Sequence, residues 1–267
     1  MKLKKKIKIR SYKEFNYIGF FTLYKKEIKR FLNVGMQTLL APAVTTLLFY
    51  IIFTIALGRG FFEIKNISFS EYLAPGLICM AILQNAFANT SSSILISKVQ
   101  GNIVDILMPP LSEIELTAGY VLGGITRGIL VGFFVAIMIY FIVPLSVYDL
   151  PLLFFYSFLS ASFLSFLGII CGVCSLKFDH MAAITNFVIT PLTFLSGTFY
   201  SIENLPDLWQ KIALFNPFFY MIDGFRFSLI GVNDSNIFLG IVILTLGNIL
   251  CLIICMKIFK YGYKLKS

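Results

Sequence analysis

Charged side chains are scarce in this sequence, and their scarcity excludes an ordinary soluble domain. Only 13% of the 267 residues are charged, against about 25% in soluble proteins. Hydrophobic residues make up 58%, and the mean hydropathy is +0.87. Several uncharged runs reach the roughly 20 residues that a helix needs to cross a bilayer. The sequence therefore predicts an all-α, multi-pass membrane protein.

Several chemical signatures are absent from the sequence as well. The apolar runs do not alternate with polar residues, which excludes a transmembrane β-barrel. No G-x-x-x-x-G-K-[ST] loop, no H-E-x-x-H pair and no G-x-S-x-G elbow occurs. Acidic residues lie in loops or at the edges of the apolar runs, whereas a proton-driven carrier needs them inside its spans. We therefore expect no catalytic, metal or cofactor site in this chain.

Basic residues are present, but they are distributed very unevenly. Of the 22 Lys and Arg residues, eleven precede residue 31 and four follow Met256. With six spans, one side of the membrane carries 17 basic residues and the other carries 4. The positive-inside rule then places both termini in the cytoplasm. A net charge of +9 suggests nucleic-acid binding in a soluble protein, but membrane topology explains it here, so no nucleic-acid partner is expected.

The predicted organisation is one membrane domain with short cytoplasmic ends. Residues 1–35 are predicted to form a basic arm and an amphipathic helix at the membrane surface, with a helix packed on a partner protein as the alternative. Residues 36–260 form the transmembrane domain, and residues 261–267 form a cytoplasmic tail. The six spans are predicted at about 36–57, 72–97, 118–143, 151–176, 181–200 and 236–256.

Two of the predicted spans carry polar groups that lipid disfavours. In the second span, Gln84, Asn85 and Asn89 are predicted either to line a transport path or to make hydrogen bonds between helices. In the third span, Arg127 lies near mid-depth and is expected to face the bundle interior or water. The alternative for Arg127 is that its side chain extends along the helix towards the lipid headgroups.

The order of these elements and two stretches of sequence resemble the permeases of ABC-2 type transporters. The stretches are "GNIVDILMPPLSEIELTAGYVLGGITRG" at 101–128 and "FLSGTFYSIENLPDLWQKIALFNPFFYMIDGFR" at 194–226. The resemblance covers residues 15 to 260, with an amphipathic helix, six spans, a cytoplasmic loop after the second span and a polar, aromatic insertion before the sixth. It does not identify the cargo.

The resemblance implies an exporter in the bacterial inner membrane. Two permease subunits, here a homodimer, would work with a separate ABC ATPase that holds ATP and Mg, which explains the missing phosphate loop. The loop at 98–117 would couple the ATPase to the spans, and its candidate residues are Asp105, Pro109, Pro110, Glu113 and Glu115. The alternatives are a membrane scaffold or assembly protein without transport and, third, a membrane enzyme.

The insertion before the sixth span is predicted to be a re-entrant helical hairpin on the extracytoplasmic side. Pro206 and Pro217 interrupt residues 201–235, and no uncharged run is long enough to cross the bilayer. Two short helices that enter the outer leaflet and return satisfy both observations. The hairpin would either gate cargo release or act as a static plug. Its candidate residues are Asn216, Pro217, Tyr220, Asp223 and Arg226.

Three residues of this hairpin have predicted structural roles. Asn216 precedes Pro217 and is expected to cap the second short helix. Asp223 and Arg226 lie three residues apart on one helical face, so they can pair with each other or meet a neighbouring span. Both are expected to hold the shape of the hairpin rather than to contact cargo.

Overall fold

The structure is a computed structural model that describes residues 15–57, 63–65 and 67–265. The predicted basic arm at residues 1–14 lies outside the described residues, as do residues 58–62, residue 66 and the last two residues. Within the described residues, the helices are α1 Tyr17–Leu32, α2 Ala41–Leu57, α3 Phe69–Val99, α4 Ile103–Leu107, α5 Glu113–Tyr140, α6 Leu150–Cys174, α7 Phe178–Ile184, α8 Thr190–Phe194, α9 Asp207–Phe215, α10 Pro217–Ile230 and α11 Ile237–Tyr261.

Short segments complete the secondary structure between these helices. A π-helical turn, Met36–Leu40, leads into α2, and a second one, Thr185–Ile189, joins α7 to α8. A turn of 3₁₀ helix, Ile202–Asn204, precedes α9. Two strands of two residues each, β1 Glu63–Ile64 and β2 Ile67–Ser68, pair antiparallel just before α3.

Five helical segments in the described part of the chain are long and apolar enough to cross a membrane. They are Met36–Ala56, Phe69–Val99, Glu113–Tyr140, Leu150–Cys174 and Ile237–Tyr261. The all-α, multi-pass architecture predicted from composition is therefore confirmed. The predicted span at 181–200 instead contains α7, a π-helical turn and α8, and this helical segment is only 17 residues long. A sixth span stays a prediction.

Helix α3 forms the centre of the bundle. It packs against α5 and α6, and most of its side chains are buried, whereas α2 and α11 are mostly exposed. Glycines on the neighbouring helices allow this close approach: a Cβ atom at Gly128 would lie 2.8 Å from the carbonyl oxygen of Ile82, and one at Gly172 would lie 2.7 Å from that of Ser91. Small residues at helix contacts are usual in membranes. The polar face of α3 consequently lies inside the protein.

Helix α5 begins earlier than the sequence predicted, at Glu113 rather than near residue 118. Ser112 and Glu115 form a capping box, in which the Ser112 Oγ accepts from the Glu115 N–H at 3.3 Å and the Glu115 Oε2 accepts from the Ser112 N–H at 2.7 Å. This motif satisfies two N–H groups at the helix start. The expectation that Glu113 and Glu115 are loop acids is therefore wrong: both lie in the first turn of α5, and Glu115 is buried.

Candidate functional site

The connection between α3 and α5 presents an exposed surface that combines apolar groups with one acid. Gly101 adopts a left-handed conformation at φ +74° and reverses the chain after α3. Helix α4 follows and is anchored by the buried side chain of Ile103. We call the exposed residues of α4 and of the segment directly after it the α4 surface: Val104, Asp105, Met108, Pro109 and Pro110. Met108 is 76% exposed and lies next to the exposed Pro109 and Pro110 in the chain.

The α4 surface is joined to the start of α1 through Asn16. The Asn16 side chain donates from Nδ2 to the carbonyl oxygen of Pro110 at 3.1 Å, and its Oδ1 accepts from the Gly19 N–H at 3.0 Å, which caps α1. The Asn16 backbone N–H donates to the Glu115 carboxylate. One residue therefore links the end of the α4 surface to the start of α1 and to the first turn of α5.

Helix α1 buries a carboxylate that sequence reasoning missed. Glu27 is fully buried, and its Oε1 accepts from the Ser93 Oγ of α3 at 2.7 Å. Arg30 lies 3.2 Å from the other oxygen of Glu27 and also donates to the Asn89 Oδ1 at 2.9 Å. The available signal was that Glu27 is a lone acid among the lysines of an amphipathic helix. The hydrogen bonds of Glu27 with Ser93 and of Arg30 with Asn89 join α1 to α3.

The in-span arginine also faces α3. Arg127 is 9% exposed and donates from Nη2 to the Asn85 Oδ1 at 3.2 Å. Asn85 in turn donates to the Ala81 carbonyl oxygen at 3.0 Å. Arg127 therefore points into the bundle, and Asn85 and Asn89 make hydrogen bonds between helices, which was one of the two predicted alternatives. Gln84 is half-buried beside them. We call this cluster the Arg127 network: Glu27, Arg30, Asn85, Asn89 and Arg127.

Helices α9 and α10 are joined by the Asn216–Pro217 pair, as the sequence predicted. The Asn216 Oδ1 accepts from the Phe218 N–H at 3.1 Å and caps α10, which confirms the predicted cap. Its Nδ2 donates to the carbonyl oxygen of Leu192 at 2.9 Å and to the Ser196 Oγ at 2.8 Å. Tyr220 closes the turn with a hydrogen bond to the carbonyl oxygen of Leu214 at 3.0 Å.

Asp223, in α10, holds the chain that leads into α11. Its carboxylate is fully buried and accepts from the Asp234 N–H at 2.7 Å. It also accepts from the Ser235 N–H at 2.9 Å and the Ser235 Oγ at 2.5 Å. Gly231, at φ +72°, ends α10 and turns the chain back towards this carboxylate. Through these hydrogen bonds, Asp223 holds the loop that follows α10 against this helix.

Arg226 binds α3 and the end of α8 rather than Asp223. Its Nη1 donates to the Tyr72 hydroxyl at 2.9 Å and its Nη2 donates to the Gly197 carbonyl oxygen at 2.5 Å. The guanidinium also lies 3.9 Å from the centre of the Tyr72 ring, a cation–π distance. No Asp223–Arg226 ion pair within 4.0 Å exists in the described chain. Of the two predicted alternatives, contact with a neighbouring span is the one that Arg226 makes.

Lys65 forms two ion pairs beside Arg226, and the sequence indicated neither of them. Lys65, in the turn between β1 and β2, lies 2.7 Å from the Asp234 Oδ1 and 3.1 Å from the Glu203 Oε1. The other oxygen of Asp234 accepts from the Tyr72 hydroxyl at 3.2 Å. Burial alone would raise the pKa of Asp234, but Lys65 and the charge of Arg226 outweigh it and lower the pKa. We call this cluster the Arg226 network: Lys65, Tyr72, Asp223, Arg226 and Asp234.

The comparisons with known proteins agree with this architecture. Residues 18–230 match the ABC-2 type transporter family. This chain belongs to the ABC-2 type transporter family. It is 35% identical to the inner membrane transport permease YadH of Escherichia coli K12 over 251 residues, which are 94% of this chain and 98% of that protein. It is 25% identical to nodulation protein J of Rhizobium leguminosarum bv. viciae over 200 residues, which are 73% and 77% of the two chains. The chain is accordingly a transmembrane subunit of an ABC transporter.

This ABC-2 permease also has an open cavity on the face where α2 meets α8. The cavity has a volume of about 840 Å³. Its lining includes Phe49 and Phe53 of α2, Asn186 and Thr190 of the segment 185–194, and Trp209 of α9. The cavity is separate from the Arg127 network, since no residue of that network lines it. The polar residues predicted to line a path on α3 therefore do not open into this cavity.

Proposed function

We propose that this chain is the permease subunit of an ABC exporter, working as a homodimer with a separate ATPase in the bacterial inner membrane. The partner ATPase would hold ATP and Mg, and this chain would move cargo out of the cytoplasm or the inner leaflet. The inner-membrane location is supported by the name of the Escherichia coli relative, a transport permease. The outward direction is supported by the resemblance to ABC-2 exporters.

The α4 surface is the observation that carries the ATPase proposal. It combines exposed Met108, two exposed prolines and Asp105 on a short helix that Ile103 anchors. Proline restricts φ, so the surface is stiff enough to transmit force from a docked partner. Asn16 connects it to α1 and α5. Helix α5 packs against α3 at the centre of the bundle, and α1 reaches α3 through the hydrogen bonds of Glu27 and Arg30. ATP-driven movement of the ATPase would reach the spans by this route.

A matched pair of variants tests ATPase docking. Met108→Asp places a charge on the α4 surface, and Val147→Asp places the same charge on another exposed apolar residue, beyond the far end of α5. We expect Met108→Asp to weaken co-purification of the ATPase and to lower stimulation of its activity, while Val147→Asp leaves both unchanged. Equal behaviour of the two variants, or an ATPase whose turnover does not depend on this chain, would favour a scaffold instead.

Replacement of the proline pair tests coupling separately from docking. In a Pro109→Ala, Pro110→Ala variant the docking side chains remain, but the segment loses its restricted φ angles. We expect the ATPase to bind while transport per ATP hydrolysed falls. Substitution of Asp105 should act in the same direction. Unchanged transport in the double variant would contradict a coupling role for this loop.

Six spans and cytoplasmic termini complete the proposed topology. The segment 178–194 is 17 residues long, about 25 Å as a helix, so it would cross only where the bilayer thins or where turns extend it. With the exposed Cys174 replaced by Ser, thiols placed at Lys65 or Asn204 should react with an impermeant reagent added outside the cell. Thiols at Gln100 or His180 should not. Outside labelling at Gln100 would reverse the proposed orientation.

Helices α9 and α10 are proposed to form a re-entrant hairpin at the extracytoplasmic mouth. Helix α10 has 14 residues, about 21 Å, which is too short to cross about 30 Å of hydrocarbon. The hairpin either gates cargo release or acts as a static plug. A thiol crosslinker that joins cysteines at Lys65 and Glu203 should stop transport if the hairpin opens. Full transport in the crosslinked protein would favour the plug.

A further inference from the structure

Arg127 carries a buried positive charge that the described residues do not balance. Glu27 pairs with Arg30 at 3.2 Å, which uses the negative charge of the Arg127 network. No carboxylate lies within 4.0 Å of Arg127 in the part of the chain that the structure describes. Its sole hydrogen bond there goes to the neutral Asn85. Because arginine keeps its proton at any physiological pH, the protein cannot remove this charge by deprotonation.

Two buried N–H donors beside this charge also lack a partner among the described residues. They are the Arg127 Nε and the Asn89 Nδ2. A Cβ atom at Gly123 would lie 3.5 Å from the Asn89 Nδ2, and Gly123 precedes Arg127 by four residues, so both face the same side of α5. The two donors therefore lie along one stretch of the contact between α3 and α5.

A buried cation with additional unused N–H donors has the chemistry of an oxyanion site. Guanidinium groups bind phosphate and carboxylate through two parallel N–H donors, and an amide N–H adds a directed hydrogen bond. Burial without a counter-charge is strongly unfavourable, so an anion that supplies both the charge and the acceptors would stabilise the folded protein. The fixed ion pair of Glu27 and Arg30 beside it leaves the net charge of the cluster at one positive unit.

We propose that Arg127 and Asn89 form a binding site for a phosphate-type oxyanion, carried either by an anionic lipid headgroup or by free phosphate. Asn85 positions the guanidinium through its Oδ1. Arg127 binds the anion from α5 and Asn89 binds it from α3, and these two helices also contact α1. It depends neither on the direction of transport nor on the presence of an ATPase, so it can be tested on the permease alone.

The test measures thermal stability of the full chain in nanodiscs, followed by the fluorescence of Trp209, its single tryptophan. Three conditions are compared: phosphatidylcholine alone, phosphatidylcholine with inorganic phosphate at constant ionic strength, and discs containing phosphatidylglycerol. A ligand that binds the folded state raises the Tm in proportion to its saturation. We expect a Tm increase that is lost in Arg127→Gln and kept in Lys257→Gln, which removes an exposed basic charge elsewhere.

The arms of this experiment separate the sources of the oxyanion. An increase with inorganic phosphate identifies a free anion, and an increase only with phosphatidylglycerol identifies a lipid headgroup. If neither condition raises the Tm of the unmodified chain, the proposal is overturned. It is also overturned if Lys257→Gln loses as much of the increase as Arg127→Gln, because the effect is then general electrostatic attraction.

A second variant keeps the test informative if Arg127→Gln does not fold. Asn85→Asp places a carboxylate where the Oδ1 now lies, 3.2 Å from the Arg127 Nη2. This internal counter-charge should raise the Tm in plain phosphatidylcholine and abolish the increase with phosphate or phosphatidylglycerol. Retention of the full increase in Asn85→Asp would contradict a site at Arg127.

Discussion

The two buried polar networks of this protein use the same residue types with different charge balance. In the Arg226 network, the cations Lys65 and Arg226 are matched by the carboxylates of Asp223 and Asp234, and each carboxylate has several donors. The Arg127 network has two cations, Arg30 and Arg127, but only one carboxylate, Glu27, which pairs with Arg30. Equal numbers of cations and carboxylates allow the first network to fix shape, whereas the second leaves one positive charge without a carboxylate partner in the described chain.

The largest expected effect comes from breaking the balanced network at its centre. Arg226→Ala removes two hydrogen bonds and the stacking on Tyr72, and it removes a buried positive charge that acts on Asp223 and Asp234. We expect a loss of about 3–5 kcal/mol in the free energy of unfolding, the scale of two hydrogen bonds from a charged group, measured by reversible denaturation in micelles with Trp209 fluorescence.

The matched variant for this prediction is Arg226→Lys. It keeps the charge but cannot reach Tyr72 and the Gly197 carbonyl oxygen together with one planar group, so it should recover only part of the loss. Full stability in Arg226→Ala would show that the network does not fix the fold here.

Neutralising Glu27 should increase the imbalance of the Arg127 network. In Glu27→Gln the Ser93 hydroxyl keeps an acceptor, but Arg30 loses its charge partner. We expect a loss of about 2 kcal/mol in unfolding free energy, the scale of a hydrogen bond to a charged group, together with a larger anion-dependent Tm increase. Lys29→Gln, on the exposed face of α1, is the control and should change neither quantity.

A smaller effect is expected at the exposed edge of the Arg226 network. The Lys65 side chain is 28% exposed, so solvent screens its pairs with Asp234 and Glu203. Lys65→Met should cost about 1 kcal/mol of unfolding free energy, and Lys211→Met, at an exposed site without an ion pair in the described chain, should cost less. A loss as large as that of Arg226→Ala would mean that the edge contributes as much as the centre.

The smallest expected effect is a dependence of the unfolding free energy on pH. Because the pKa of Asp234 is lower in the folded protein, its stabilising contribution is present above about pH 4, near the unfolded pKa. It is lost as the pH falls through the folded value. The pKa of Lys65 is raised, since hydrogen bonds to Asp234 and Glu203 outweigh burial, so its contribution is lost only above about pH 10.

Measurement of the unfolding free energy at decreasing pH checks the predicted loss of stability in acid. Stability should be flat near neutral pH and should decline below about pH 4, with a smaller decline in Lys65→Met. A decline that begins near neutral pH would assign the acid sensitivity to another group.

Sequence reasoning succeeded where local rules act. The positions of the long helices followed from apolar runs, and the cap at Asn216 followed from its place before Pro217. The burial of Arg127 followed from the cost of charge in lipid. The start of α5 was misplaced because the capping box of Ser112 and Glu115 was counted as loop.

The residues that the sequence did not reveal act across long separations. Glu27 and Ser93 are 66 positions apart, Tyr72 and Arg226 are 154 apart, and Lys65 and the loop at Asn233 are 168 apart. No spacing rule relates such pairs, because only the packing of helices brings them together. For the same reason, the expected proximity of Asp223 and Arg226 did not lead to a pair.

By itself, the sequence determined that this chain enters a membrane as a bundle of helices, because hydrophobicity and length are local, additive properties. It also determined the family, because residues 18–230 carry its pattern. Only the tertiary structure decided which buried charges balance each other. That choice depends on distances of a few ångströms between helices, and Coulomb interactions in a low-dielectric interior change steeply over such distances. It therefore distinguishes the Arg226 network, which has two carboxylates for two cations, from the Arg127 network, which has one carboxylate for two cations.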